Sequence, residues 1–458
     1  MIKQVLATAM LVLIFMTAYL PAAIAEVEIV KVGSINLNSD YSLALWSGDG
    51  ELLAIIAYWE SPLTKQFYSK IGVTLKNGTI LWTTDKLKGF AKVLWNPNNR
   101  VLAAVLKDSL EDFDIVVYDA LSGKVLGKYE GKGVEVDIAC WNPDGSQLTF
   151  PIYNLSGKFM KITAYSVNLS GKLWETEKIE RTIVSWIEWS PTGKRIAVSA
   201  LKILDETSYN STLKHIIYVL DSNGELLWKR ELFKTKANTL QIVLPKWSLD
   251  GEYLAIASLH TSNTVELKVY DVEGNVIWNK TLVKNMENVT YASLTMEWGS
   301  NEKLALAISY VKEEAFLKGN IFVFNIQGEL LWHRTFNYVV NNVRWDYTGN
   351  FLAATLQLNK NFLLKIFNMN GDTVLETIIQ GPYVDISKQN ILAISGTDNV
   401  VIYKLFKNKS WTIKTFKTSF TTDSEETFWQ RSVLPIVLAI IIGSLFYLKR
   451  KKATQLIG

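Results

Sequence analysis

The sequence has very little of what most enzymes are built from. It holds one cysteine, Cys140, so no intrachain disulfide can form. It holds three histidines, His215, His260 and His333, which are far apart and share no ligand spacing. A zinc site built from His and Cys is therefore not expected. There is no Gly-x-Ser-x-Gly elbow, no Gly-rich phosphate loop and no Cys-x-x-Cys pair. A basic excess is missing as well, outside the chain ends. Residues 1–25 and 431–458 carry six bases and no acid, and the 42 bases of the rest face 44 acids. The overall charge of +4 belongs to the chain ends, and no nucleic-acid surface is implied.

What is present is tryptophan, 16 residues of it, in a recurring frame. Trp189-Ser-Pro-Thr-Gly is followed by the apolar run Ile196-Ala-Val. Related copies begin at Trp46, Trp95, Trp141, Trp247, Trp298 and Trp345, spaced 46 to 58 residues apart. An eighth, degraded copy places Asp385 at the Trp position, before Ile391-Leu-Ala-Ile-Ser. Each copy reads as a strand ending in Trp, a tight turn, and a second strand. A second half follows. Ile216-Ile-Tyr-Val-Leu-Asp221 leads into Ser-Asn-Gly224 and then Glu-Leu-Leu-Trp228. Further copies of this half end at Trp82, Trp174, Trp278 and Trp332. Twelve tryptophans are thus accounted for as blade-packing residues.

Four strands per unit at a period of about 40 to 50 residues are the mark of a β-propeller. Strands such as 216–220 are apolar at every position, as stacked blades require. The first half resembles the WD-like repeats of TolB-type propellers. The Asp-x-x-Gly-x-x-x-Trp half resembles the tryptophan-docking motif of pyrroloquinoline-quinone-type propellers. Together they cover roughly residues 40–417. The resemblance implies an all-β propeller with a structural role for Asp221 and Asp271. It implies no activity, since propellers host many. The cofactor-pocket acids of the quinone enzymes find no match. Eight blades are expected, or seven if residues 383–417 only complete a neighbour. Residues 26–37 and Trp411–Phe416 both read as strands able to close the ring.

The ends read as membrane signals. Lys3, an apolar stretch to Leu20 and Ala23-Ile-Ala25 form a secretory signal over residues 1–25. Residues 418–430 read as a short stalk. The uncharged run Ser432–Leu448 reads as a spanning helix within 431–448, with Lys449-Arg-Lys-Lys452 opening a cytoplasmic basic tail over 449–458. The expectation is a single-pass membrane protein with its propeller, residues 26–417, on the extracytoplasmic side.

Function is expected from the loops joining second to third strands, which are long and irregular and all fall on one face of a propeller. Candidate residues there are Tyr58, Trp59, Glu60, Asp108, Glu111, Tyr153, Asp205, Glu206, His260, Glu313 and Glu314. Tyr58-Trp59-Glu60 can stack on a sugar or peptide, and the acidic pairs can help hold Ca²⁺. No catalytic residue, cofactor or metal site is assigned. The reading is a protein-binding scaffold of the cell envelope with a membrane or envelope protein as partner. The rivals are a carbohydrate or small-solute binder, expected to show a concave aromatic pocket on that face, and a quinone enzyme, expected to gather acids at the ring axis.

Overall fold

The computed structural model describes residues 27–407, apart from short stretches at 98–99, 108–111, 133–137, 155–158, 206–210, 238–240, 261–263, 285–288, 313–315, 359–360 and 397–398. The readings of 1–25 as a signal, of 411–416 as a strand and of 418–458 as stalk, helix and tail lie outside the described residues. Among the described residues no helix is long and apolar enough to cross a membrane.

Every described sheet is an antiparallel meander of four principal strands, here lettered a to d, and there are eight of them. Blades 1 to 7 cover residues 41–88, 90–132, 140–180, 182–236, 242–283, 289–336 and 339–379 in turn. Blade 8 takes strands a to c from 383–407 and its outer strand d from the chain's start, Val27–Asn36. Val27 pairs with Lys407 and Asn36 with Asn399. The N-terminal strand thus supplies the outer strand of the last blade, and the fold is an eight-bladed β-propeller. Ring closure ties two segments some 370 residues apart, and each blade keeps its outer strand d as a short edge.

The turns explain the repeat's spelling. After strand a, the Ser47 hydroxyl accepts the Leu52 amide at 3.0 Å, and Gly50 turns back at φ 73°. After strand c, Asp221 accepts the amides of Asn223 and Glu225, both at 2.8 Å. Gly224 follows at φ 86°, and there glycine answers a second demand. A Cβ on it would meet the ring of Trp174, the docking residue of the blade before. Trp82 against Gly123, Trp228 against Gly274, Trp278 against Gly328 and Trp332 against Gly371 repeat this contact. The indole N–H of Trp82 donates to Ala120 O at 2.7 Å, and those of Trp228 and Trp278 bond the next blade likewise.

There is no single core. Buried side chains fall into eight apolar clusters, each shared by two neighbouring blades, including one between blades 8 and 1. Strands b and c are buried on both faces, as in Leu52–Ala57. Each fully buried Leu, Ile or Phe is worth roughly 1.5–3 kcal/mol.

Strand direction fixes two unlike faces. The a–b and c–d turns lie on one, here the turn face, and the b–c and d–a loops on the other, the long-loop face. Both ends of the described ring, Val27 and Lys407, lie at the turn face.

Candidate functional site

On the long-loop face the structure gathers an aromatic pocket of about 450 Å³ at blade 1. Tyr58, Trp59 and Glu60 come from the end of strand b, as the sequence suggested. Asp40 comes from the bend before strand a and Tyr41 from its first position, Phe67 from strand c, and Phe90 from the first strand of blade 2. Four of the rings form a chain of contacts. Phe67 and Phe90 lie 4.4 Å apart, Tyr41 and Tyr58 5.7 Å, and Tyr58 and Phe90 6.1 Å. Phe90 keeps half of its surface exposed, so this cluster is an open wall rather than core.

The polar atoms of the pocket sort by kind. The Tyr58 hydroxyl donates to Ala91 O at 2.6 Å. The Trp59 indole donates to Asn38 O at 2.6 Å. The Tyr41 hydroxyl is bonded to Tyr383, and burial together with that bond pushes its ionisation far above the usual phenol range. Asp40 accepts the Glu60 amide through Oδ2 at 2.8 Å. Glu60 pairs with Lys65 at 3.3 Å, an exposed pair of little energetic weight. Across the blade edge the Lys86 ammonium sits 4.2 Å from the Tyr68 ring and 5.7 Å from that of Trp59.

The other candidates do not join this pocket. Tyr153 is buried in the seam between blades 3 and 4, where its hydroxyl accepts the Val184 amide at 2.9 Å. Asp205 accepts the Thr212 amide at 2.7 Å and so closes its own loop. His260 stacks on Phe233 at 4.2 Å, and His215 stacks on the opposite side of Phe233 at 4.3 Å. Burial lowers the proton affinity of both imidazoles. Asp108, Glu111, Glu206, Glu313 and Glu314 lie outside the described residues.

A second constellation lies at the ring axis, and the sequence reading missed it. The first strands of neighbouring blades pack together around the axis. The repeat tryptophans turn into the seams, so the residue before each turns the other way, toward the channel. Around the ring these are Leu45, Leu94, Cys140, Glu188, Lys246, Glu297, Arg344 and Asp385. Asp385 thus does not hold the Trp position. Ile386 does, opposite Leu392 as Trp46 is opposite Leu53, because Ser387 takes the turn place of Ser47. Lys246 meets Glu188 at 3.0 Å, and Arg344 lies 3.6 Å from both Glu297 and Asp385. Enclosure raises the proton affinity of Glu297 and Asp385, with Arg344 opposing it. Asp385 also accepts the Trp46 amide at 2.8 Å, and Glu297 that of Trp345 at 3.1 Å. The acids of the axis are thus each turned to a base. Among the described residues no three His, Cys, Asp or Glu converge as a metal site.

The comparisons bear on the fold. The chain is similar to a solved structure titled "Structure of Dos1 propeller" at 12% identity and a TM-score of 0.55. That match covers 82% of this chain and 95% of the other. It is also similar to the C-terminal WD40 domain of Sif2, at 12% identity and a TM-score of 0.52, over 82% of this chain and 98% of that one. What they share with this chain is the β-propeller fold. At such identity the likeness speaks for the fold alone. No family model matches the chain, and no curated protein matches its sequence.

Proposed function

We propose that the chain is a binding propeller, anchored in a membrane by its C-terminal segment and displayed on the extracytoplasmic side. Its long-loop face docks a protein partner of the cell envelope. The observation that carries this reading is the asymmetry between the two faces. The open aromatic wall of blade 1 lies on the long-loop face, and both ends of the described ring lie on the other. The axial charges support a structural role for the channel, since they pair with one another. The Trp-on-Gly contacts at five seams support kinship with the tryptophan-docking propellers within the wider fold. Membrane anchoring rests on the sequence of the two ends.

The test is a crosslinking pull-down from native membranes with the full chain as bait, beside a variant carrying Trp59→Ala. Stoichiometric recovery of one envelope protein, lost or weakened in the variant, is the expected result. Recovery of no protein by either bait would overturn the scaffold reading. A second reading, a small-solute binder, is favoured by one observation: the pocket is concave, and its volume of about 450 Å³ falls in the range of ligand sites.

A further inference from the structure

We infer that the blade 1 pocket receives an organic ammonium group. The inference deepens the long-loop-face reading and rests on it.

What the pocket can still offer decides what it can hold. Its lining holds three side-chain donors, the hydroxyls of Tyr41 and Tyr58 and the indole N–H of Trp59. All three are engaged, with Tyr383, Ala91 O and Asn38 O respectively. Phe67 and Phe90 offer none. What remains is of two kinds. One is aromatic surface, from Trp59 and from four rings, Tyr41, Tyr58, Phe90 and Phe67, each 4.4 to 6.1 Å from the next. The other is carboxylate oxygen at the rim, from Asp40 and from Glu60, whose exposed pairing with Lys65 is weak and open to exchange. Asp40 Oδ1 takes no hydrogen bond or ion pair among the described residues.

A neutral sugar is a poor match for such a wall. Its hydroxyls need donors and acceptors in the same site, and here the donors are spent. A phosphate or carboxylate would meet two acids. A group with positive charge, N–H or N–CH₃ surface and modest volume uses everything the pocket has left. Ring faces attract cations through their quadrupoles, and the rim carboxylates supply the counter-charge. The blade itself demonstrates the chemistry, since the Lys86 ammonium rests over Tyr68 and Trp59 on the neighbouring side. The cluster is also special to this blade. The seam tryptophans recur round the ring, whereas Tyr41, Phe67 and Phe90 stand at positions where most other copies are not aromatic. Blade packing therefore does not account for it.

The ammonium can come from a free solute or from a lysine side chain of the docked partner. Both share the chemistry, and the test separates them. The full-length chain in nonionic detergent is dialysed to equilibrium against labelled choline, against its uncharged carbon isostere, against a short lysyl peptide amide and against a neutral hexose. The double variant Asp40→Asn with Glu60→Gln serves as control. Both side chains are exposed and remain hydrogen-bond acceptors, so the fold is kept, and an unchanged thermal transition checks that.

Binding of an ammonium compound that weakens about tenfold or more in the double variant, with the isostere at least as much weaker, is the expected outcome. Tighter binding of choline points to a free solute, and tighter binding of the lysyl peptide points to a partner's side chain. Equal affinity for the isostere, hexose binding instead, indifference to the double variant, or no ammonium binding at all would each overturn the inference. If the pull-down recovers a partner while no ammonium binds, the docking reading stands and this inference alone falls.

Discussion

Two arcs of one ring can be compared position by position. At the place before the repeat tryptophan, blades 1 to 3 carry Leu45, Leu94 and Cys140, and blades 4 to 8 carry Glu188, Lys246, Glu297, Arg344 and Asp385. The backbone job is shared across both arcs. Trp95 donates its indole N–H to Leu45 O at 2.8 Å and Trp141 to Leu94 O at 3.2 Å. Trp247, Trp298 and Trp345 bond Glu188 O, Lys246 O and Glu297 O in the same way. The side chains differ completely. The repeat therefore constrains the carbonyl and leaves the side chain free, so charge on one arc reflects something beyond packing. In that arc ion pairs cross the seams between blades 4 and 5, 6 and 7, and 7 and 8, and Glu297 and Asp385 each accept a backbone amide across a seam.

The largest effect should come from breaking the charged arc at its middle. Arg344→Met leaves Glu297 and Asp385 without their shared cation. Both acids keep only about a fifth of their side-chain surface exposed. Losing one partner of an enclosed pair is strongly destabilising, here about 2–3 kcal/mol after allowance for the channel's partial exposure. Leu94→Met, the matched change in the apolar arc, should cost less than about 1.5 kcal/mol. Urea midpoints of the two variants measure the gap. Equal losses would mean that the ion pairs contribute nothing.

A pH profile sharpens the same comparison. Glu297 and Asp385 have folded-state pKa values raised above the usual carboxylate range by enclosure. The folded state then holds protons that the unfolded state has released. Stability from these groups is greatest below the unfolded pKa and falls as pH rises through the folded one. Glu297→Gln should flatten that fall in the window just above the ordinary carboxylate range. Thermal transitions at several pH values from 4 upward, roughly, read it out. A steeper fall in the variant would refute the sign.

The seams offer a smaller contrast. Trp345→Phe removes an indole bond to Glu297 O, whereas the Trp46 indole nitrogen has no partner in the closing seam. Trp345→Phe should therefore cost about 1 kcal/mol more than Trp46→Phe, the net worth of one hydrogen bond. Equal midpoint shifts would show that ring area alone matters.

The fold was legible because its signals are local. A Trp, a Ser or Asn and a Gly within five residues spell the a–b turn, and an Asp three residues before a Gly spells the c–d turn. The site was legible only in part. Tyr58, Trp59 and Glu60 are consecutive and stood out, while Asp40, Tyr41, Phe67 and Phe90 reach the pocket from three other stretches of the chain. Nothing local joins them. The charged arc had a signal that went unused, namely the residue before each aligned Trp. Asp385 was set one place out of register because blade 8 has no Trp, and only the turn hydroxyl of Ser387 marks its frame.

The apolar arc makes the last prediction. Cys140 stands at the border between the arcs, and its thiol is pushed well above the usual range, first by burial and then by the Glu188 charge, with Lys92 opposing. The thiolate is the reactive form, so alkylation needs either an open wall or a lost neighbour. The folded full-length chain should resist iodoacetamide at mildly alkaline pH and react at once in urea. Glu188→Gln removes the smaller of the two contributions that raise the thiol. It should therefore speed alkylation only modestly, by less than the change on unfolding. A large increase would mean that charge rather than enclosure governs the border. No increase would mean that Glu188 is neutralised by Lys246 as seen from Cys140, and that the two arcs are electrically independent.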